Sequence, residues 1–290
     1  MDLLSLYVFQ DLTHDMSLGT DISTVLQRQQ SEDELVRIWW FTSGFLSFLP
    51  IHATGIYGEK AFPGSKLSDF VVSSYTPTLS SIITDSCPTT LPNLQVLAVA
   101  LPVESGLPSA QKELDCIVNR VGSSNVKTLV ESEATLDNVI AGLRESSFVH
   151  FACHGVQDAT NPNKSALLLA KSSRLTLSHL HHLSLPHAQL AFLSACQTAA
   201  GDETLVQESV HLAAGMLSVG YRGVIATMWS IMDGDAPVVA DTVYAQLFKE
   251  SEPDPTQAAR ALDKAIKKLI KDSNGKKSFL EWVPFIHIGI

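Results

Sequence analysis

The chain has 290 residues, 45% of them apolar and 17% charged, and a formal net charge of −10 at pH 7. That length buries a substantial core in one large domain or two ordinary ones, and the composition describes a folded chain, not a disordered one. An acidic surface repels nucleic-acid backbones and anionic membranes, so neither is an expected partner; basic substrates or partners suit it better.

Four cysteines, Cys87, Cys116, Cys153 and Cys196, are too few and too irregularly spaced for a disulfide framework at this length. CxxC and HExxH are absent, so no metal or other cofactor is expected. A short apolar stretch spans Leu3 to Phe9, but Asp2 stands where a signal peptide carries its basic flank. No run approaches the ~18–20 apolar residues a membrane-spanning helix needs. The expected location is a reducing cytoplasm or nucleus, where a thiol stays usable.

Residues 1–36 read as a leader or the remnant of an upstream region. In 37–91 the text is β-rich. Residues 37–42 and 45–49 flank Ser43-Gly44 as a hairpin signal, 55–68 read as a loop, and 70–75 as a strand. The Cys87-Pro88 to Pro92 stretch is the clearest internal boundary. From 92 to 290 strands and helices alternate. Strands are expected at 94–100, 126–130, 148–153, 166–169, 190–195 and 224–228, with a closing strand at 282–290. Leu114, Ile117, Val118 and Val121 keep helical spacing up to Gly122. Thr135 caps a helix bearing Leu136, Val139, Ile140 and Leu143. Val206, Val210, Ala213 and Leu217 form another stripe closed by Gly220, and helices follow near 237–248 and from Asp254-Pro255 to 271. Unbroken apolar strands between amphipathic helices imply an α/β fold, with a mostly parallel sheet covered by helices on both faces.

In such sheets, sites gather at the carboxyl ends of strands. Two apolar runs end there on reactive side chains: Val149-His150-Phe151-Ala152-Cys153-His154-Gly155 and, about forty residues further on, Leu193-Ser194-Ala195-Cys196-Gln197-Thr198. Alternation puts His150, Ala152 and His154 on one strand face and Phe151 and Cys153 on the other. A cysteine with a histidine at hand is a nucleophile with a proton shuttle. Its thiol, with an ordinary pKa of about 8.5, needs that histidine or a helix start, here one expected near Asp202, to ionise at neutral pH. Against this stand the reading of Cys196 as core packing and His154 as a loop residue. His179, His181, His182 and His187 fall on a short polar helix and turn without a cysteine or carboxylate at ligand spacing. GxSxG, P-loop and GxGxxG are absent, which disfavours serine hydrolases and nucleotide enzymes.

The text His-Phe-Ala-Cys-His-Gly (150–155), Leu-Ser-Ala-Cys-Gln-Thr-Ala (193–199) and the run from Gly223 to Asp233 resembles the CHAT family of caspase- and separase-like (clan CD) cysteine peptidases. The Trp39-Trp40 to Ala53 region is similar to that family's entry region, especially in its fungal members. The resemblance implies a three-layer caspase-like sandwich preceded by a smaller β-rich region, and a cysteine endopeptidase. Cys196 would be the nucleophile, His154 the general acid, and the backbone N–H groups of Gly155 and Cys196 the oxyanion donors. His150 matches a recurrent position that supports the site. Asp233 and Asp235 stand where separase carries an acidic residue that receives an arginine before the scissile bond. A helix or turn cap is the competing role for Asp233. Partners implied are a protein or peptide substrate and a tetratricopeptide-repeat region acting as sensor. The Gly201-Asp202-Glu203 text departs from the Gly-Glu pair of many bacterial members, and Glu208 stands where members carry a glutamate. The alternative function is a catalytically silent CHAT-type scaffold.

Overall fold

A computed structural model describes residues 35–42, 46–47, 49–78, 95–156, 158, 160–194, 196–197, 209–250, 252–273 and 278–290, with backbone alone at 196–197 and 209–211. The described chain enters at β1 (Val36–Trp40) and, after irregular backbone with short 3-10 turns, reaches β2 (Val71–Tyr75). The expected hairpin is not the pairing found. β1 lies parallel to β2, with Val36 opposite Val71 and Trp40 opposite Tyr75. Leu46 and Leu49 instead close a turn, the Leu49 N–H donating to the Leu46 carbonyl at 3.1 Å; Ser43 to Phe45 lie outside the described residues. Arg37 locks this edge. Its Nε donates to Ser74 Oγ at 2.8 Å and its Nη2 to the Gly289 carbonyl at 3.1 Å.

Next come β3 (Val96–Ala100), α1 (Ser109–Val121), β4 (Val126–Val130), α2 (Leu136–Glu145) and β5 (Phe148–Ala152). Gly122 ends α1 in left-handed backbone (φ 91°), returning its N–H to Val118 O. Thr135 stands at the start of α2 as expected, although its side chain makes no capping bond. Then follow β6 (His154–Val156), β7 (Ala166–Leu168), β8 (Arg174–Thr176) and α3 (Leu177–His181). The rest is β9 (Leu190–Leu193), β10 (Cys196–Gln197), α4 (Ser209–Ser218), β11 (Gly223–Thr227), α5 (Ala236–Leu247), α6 (Ala258–Asp272), α7 (Phe279–Trp282) and β12 (Phe285–Gly289).

Eight strands form one sheet in the order β1-β2-β12-β11-β9-β5-β3-β4. Pairing is parallel throughout except where β12 meets β11, so two parallel blocks run in opposite directions. The strands from both sides of the Pro-rich 86–92 stretch share this sheet; that stretch itself lies outside the described residues. Side-chain alternation splits the core in two. Leu97, Val99, Val149, Phe151 and Val224 pack with α2, α3 and α4 on one face. Val96, Ala98, Phe148, Phe192 and Ile225 pack with α1, α5 and α6 on the other. Three layers result. Burying one Phe or Leu fully contributes about 1.5–3 kcal/mol, and each face holds many of them. A second sheet, β10-β6-β7-β8, extends beyond the first.

Two histidines, the half-buried His52 and the buried His287, make this fold acid-sensitive. His52 accepts a bond from the Tyr75 hydroxyl at Nδ1 (2.7 Å) and donates from Nε2 to the Val283 carbonyl (2.9 Å), an arrangement only the neutral ring makes. Burial lowers its pKa to about 4. His287 is driven well below its ordinary value by burial and then by Arg37. Below the unfolded value of about 6.5 the unfolded chain takes up protons that the folded chain refuses, so stability rises with pH across this window. It is lost on acidification by up to about 1.4 kcal/mol per pH unit per histidine. Urea midpoints are therefore expected to be lower near pH 5 than near pH 7, with the gap narrowed by His52→Gln; equal midpoints contradict the assignment.

Candidate active site

β5 and β9 are neighbours, with His150 opposite Phe192 and Phe151 opposite Leu193. Both strands break at the sheet's edge and resume in the second sheet as β6 and β10, again parallel. The register survives the break: four residues on, Cys196 stands opposite His154, and Gln197 opposite Gly155. The sheet therefore sets the backbones of these two residues side by side at strand carboxyl ends. Gly155 is buried and also pairs with Leu167 of β7, which holds it between two strands.

His154 is half-buried, and its Nε2 lies 2.6 Å from the Ser105 carbonyl in the loop between β3 and α1. A carbonyl only accepts, so Nε2 carries the proton and donates it. In the neutral ring Nδ1 then bears the lone pair and is the atom able to take a proton. Ser105 takes part through its main chain. Nothing in the sequence marks such a residue, because any side chain presents the same carbonyl.

His150 faces away from solvent. Its Nε2 is 3.0 Å from Glu113 Oε2 on α1, and its ring packs at 4.7 Å from Phe192 and 5.8 Å from Tyr244. It thus anchors α1 to β5. Glu113 is a residue that sequence reasoning missed; its signal is a glutamate on the helix face that carries Ala110, Leu114 and Ile117, where burial requires a partner. Cys153 is fully buried in the apolar cluster that holds Phe151, on the opposite strand face from His150.

Asp233 follows β11 and is half-buried. Its Oδ2 accepts the N–H of Ser109 at 3.0 Å, so it caps the start of α1. The cap role weighed from sequence is real, but on a different helix from the one starting near Pro237. Asp233 and His154 therefore hold one connection from either side, through Ser109 and Ser105. Asp235 is buried (6% exposed) at the start of α5, where its carbonyl accepts from Val238 and Val239.

The remaining candidates fall elsewhere. Cys116 is half-buried in α1, and its thiol is pushed up chiefly by desolvation and then by Asp241, which makes it a poor nucleophile. His179 Nδ1 accepts the Thr176 N–H in a cap of α3, and His182 Nδ1 bonds the Ser178 carbonyl. Cys87, Asp202 and Glu208 lie outside the described residues. Among the described residues, no helix is long and apolar enough to cross a membrane.

A three-layer α/β fold with cysteine and histidine backbones paired at strand ends defines the caspase-like class of architecture. The CHAT domain profile matches residues 6–290, and the chain belongs to the CHAT domain family. Its fold is similar to that of the Arg-specific cysteine proteinase gingipain R (TM-score 0.56, 12% identity, 92% of this chain and 66% of that one). It is similar as well to the complex of Porphyromonas gingivalis RgpB pro- and mature domains (0.55, 13%, 92% and 67%). The separase–securin complex of Saccharomyces cerevisiae matches with a TM-score of 0.50 at 14% identity, over 79% of this chain and 14% of that one. The chain thus spans about two thirds of the gingipain and about one seventh of the separase. No curated protein sequence matches it.

Proposed function

We propose that the chain is a cysteine endopeptidase of the caspase–separase type. The observation that carries this reading is the in-register pairing of Cys196 with His154 at the ends of adjacent parallel strands. The Ser105 carbonyl that fixes the imidazole tautomer supports it.

The chemistry follows from those parts. Nδ1 of His154 takes the Cys196 proton, and the thiolate attacks the scissile carbonyl carbon. The oxyanion that forms is held by the N–H groups of Gly155 and Cys196, each such donor being worth about 3 kcal/mol in related chemistry. His154 returns its proton to the leaving amine as the C–N bond breaks. Water then hydrolyses the thioester and frees Cys196. The Ser105 carbonyl stabilises the imidazolium between these steps.

The residue before the scissile bond is basic in this reading. Asp233 is the better carboxylate to receive it, since it is half-exposed whereas Asp235 is buried. The −10 net charge and the arginine specificity of the similarly folded gingipain R favour the same choice. An upstream sensor or partner controls the activity by rearranging the site's loops. A fluorogenic peptide library with every residue at that position tests the reading. Arg and Lys are expected to lead, Asp233→Asn to lower kcat/KM for them by about ten-fold or more, and Cys196→Ala to cleave nothing. Turnover that persists in Cys196→Ala contradicts the mechanism, and a flat profile contradicts the specificity.

A further inference from the structure

The described residues include three non-glycine residues in left-handed backbone: Glu131 (φ 48°), Lys171 (φ 57°) and Ser172 (φ 58°). All three lie in two short 3-10 turns, Glu131–Glu133 after β4 and Ala170–Ser172 after β7. The turns are joined, the Ala170 N–H donating to the Ala134 carbonyl at 2.9 Å. Each such residue costs about 1–2 kcal/mol, and such strain persists where surrounding structure requires it.

What these turns hold is the connection that bears Ser105. Glu131 Oε1 accepts the Val103 N–H at 2.6 Å, and its Oε2 accepts the Glu104 N–H at 3.2 Å. The Glu104 carboxylate in turn accepts the Lys171 N–H at 3.0 Å. Apolar burial does little for this tip: Val103 is 82% exposed, and a side chain at Gly106 would meet nothing within 4 Å. Charge-assisted bonds to consecutive amides therefore fix residues 103–104, and the next residue offers its carbonyl to His154 Nε2 at 2.6 Å.

We propose that Glu131 is a positioning residue which, through Val103, Glu104 and the Ser105 carbonyl, sets the orientation and tautomer of His154. The proposal rests on the peptidase reading of His154 and Cys196 for its consequence, but the tautomer can be read without any catalysis. Two of the three left-handed residues, Glu131 and Lys171, bond directly to this exposed loop. The strain is explained if the loop's carbonyl must sit at a set place.

The test uses the full chain labelled with ¹⁵N-histidine, with the His154 ring signals assigned by their loss in His154→Gln. The wild type is expected to show the Nε2–H tautomer. Glu131→Ala removes the clamp, and Glu131→Gly removes it while relieving the backbone strain, so that fold loss and clamp loss are separated by the melting midpoint. Both are expected to shift His154 towards a mixture of tautomers and to slow alkylation of Cys196 by a peptidyl electrophile by about ten-fold or more. Glu131→Gln keeps one acceptor but turns its NH2 towards the other N–H, so its signal and rate are expected to fall between those of Glu131→Gly and the wild type. Unchanged His154 signals in a folded Glu131→Gly overturn the proposal. A wild type that never alkylates at Cys196, with a tautomer that still responds to Glu131, overturns the peptidase reading and leaves the positioning intact.

Discussion

Glu113→Ala is expected to lower folding stability by about 3 kcal/mol or more, read from urea or guanidinium midpoints. The side chains of Glu113 and His150 are 3% and 2% exposed, 3.0 Å apart, beneath Phe192 and Tyr244. Deleting the carboxylate leaves a dry imidazole without the acceptor it faces. His150 Nδ1 has no partner among the described residues, so the ring has no second bond to fall back on. Replacing both members with Leu is expected to cost much less than the two single changes summed, because no polar group is then stranded. A double variant whose stability loss equals the sum of the two single losses contradicts the pairing. The pair matters to the site indirectly: it fixes α1 against β5, and α1 begins just after Ser105 and at the Asp233 cap.

Much of the core was legible because its signals are local. The apolar runs at 94–100 and 224–228 had no face to expose and became buried strands of the main sheet, while 126–130, which carries Lys127 and Thr128, became its half-buried edge strand β4. Alternation alone put His150 opposite Phe151, and the two core clusters keep them on different sheet faces. The hairpin at 43–44 failed because β1 finds its partner some thirty residues on, and parallel pairing leaves no local turn signature. Residue 282 was read as strand, yet Ser278 and Glu281 form a capping box, with the Ser278 N–H on Glu281 Oε2 at 2.6 Å, and start the short helix α7 instead. Ser278 and Glu281, three residues apart, carry that signature in the sequence itself. The reversal of β12 against β11 depends on how chain ends return to the sheet, which no periodicity reports. Within the site, His154 and Cys196 were found because their side chains are chemically distinctive. Ser105 acts through a carbonyl, and Glu131 through bonds to amides, so composition and spacing carry no trace of either.

Replacing His154 with Ala is expected to slow covalent capture of the thiol by a peptidyl electrophile by about ten- to thirty-fold at neutral pH. An isolated thiol of pKa about 8.5 is only a few per cent ionised near pH 7, and a neighbouring imidazole raises that fraction by accepting the proton and stabilising the anion. The substitution should leave the melting midpoint close to wild type, since His154 is half-buried at a strand start and its bond is to a loop carbonyl. Located by peptide mapping, the adduct is the most direct measurement of the central claim. The sulfur of Cys196 should carry the label in the wild type, slowly in His154→Ala and never in Cys196→Ala. A label found on Cys87, Cys116 or Cys153, or a Cys196 that reacts as fast without the imidazole as with it, would contradict a nucleophile and base joined at these two strand ends.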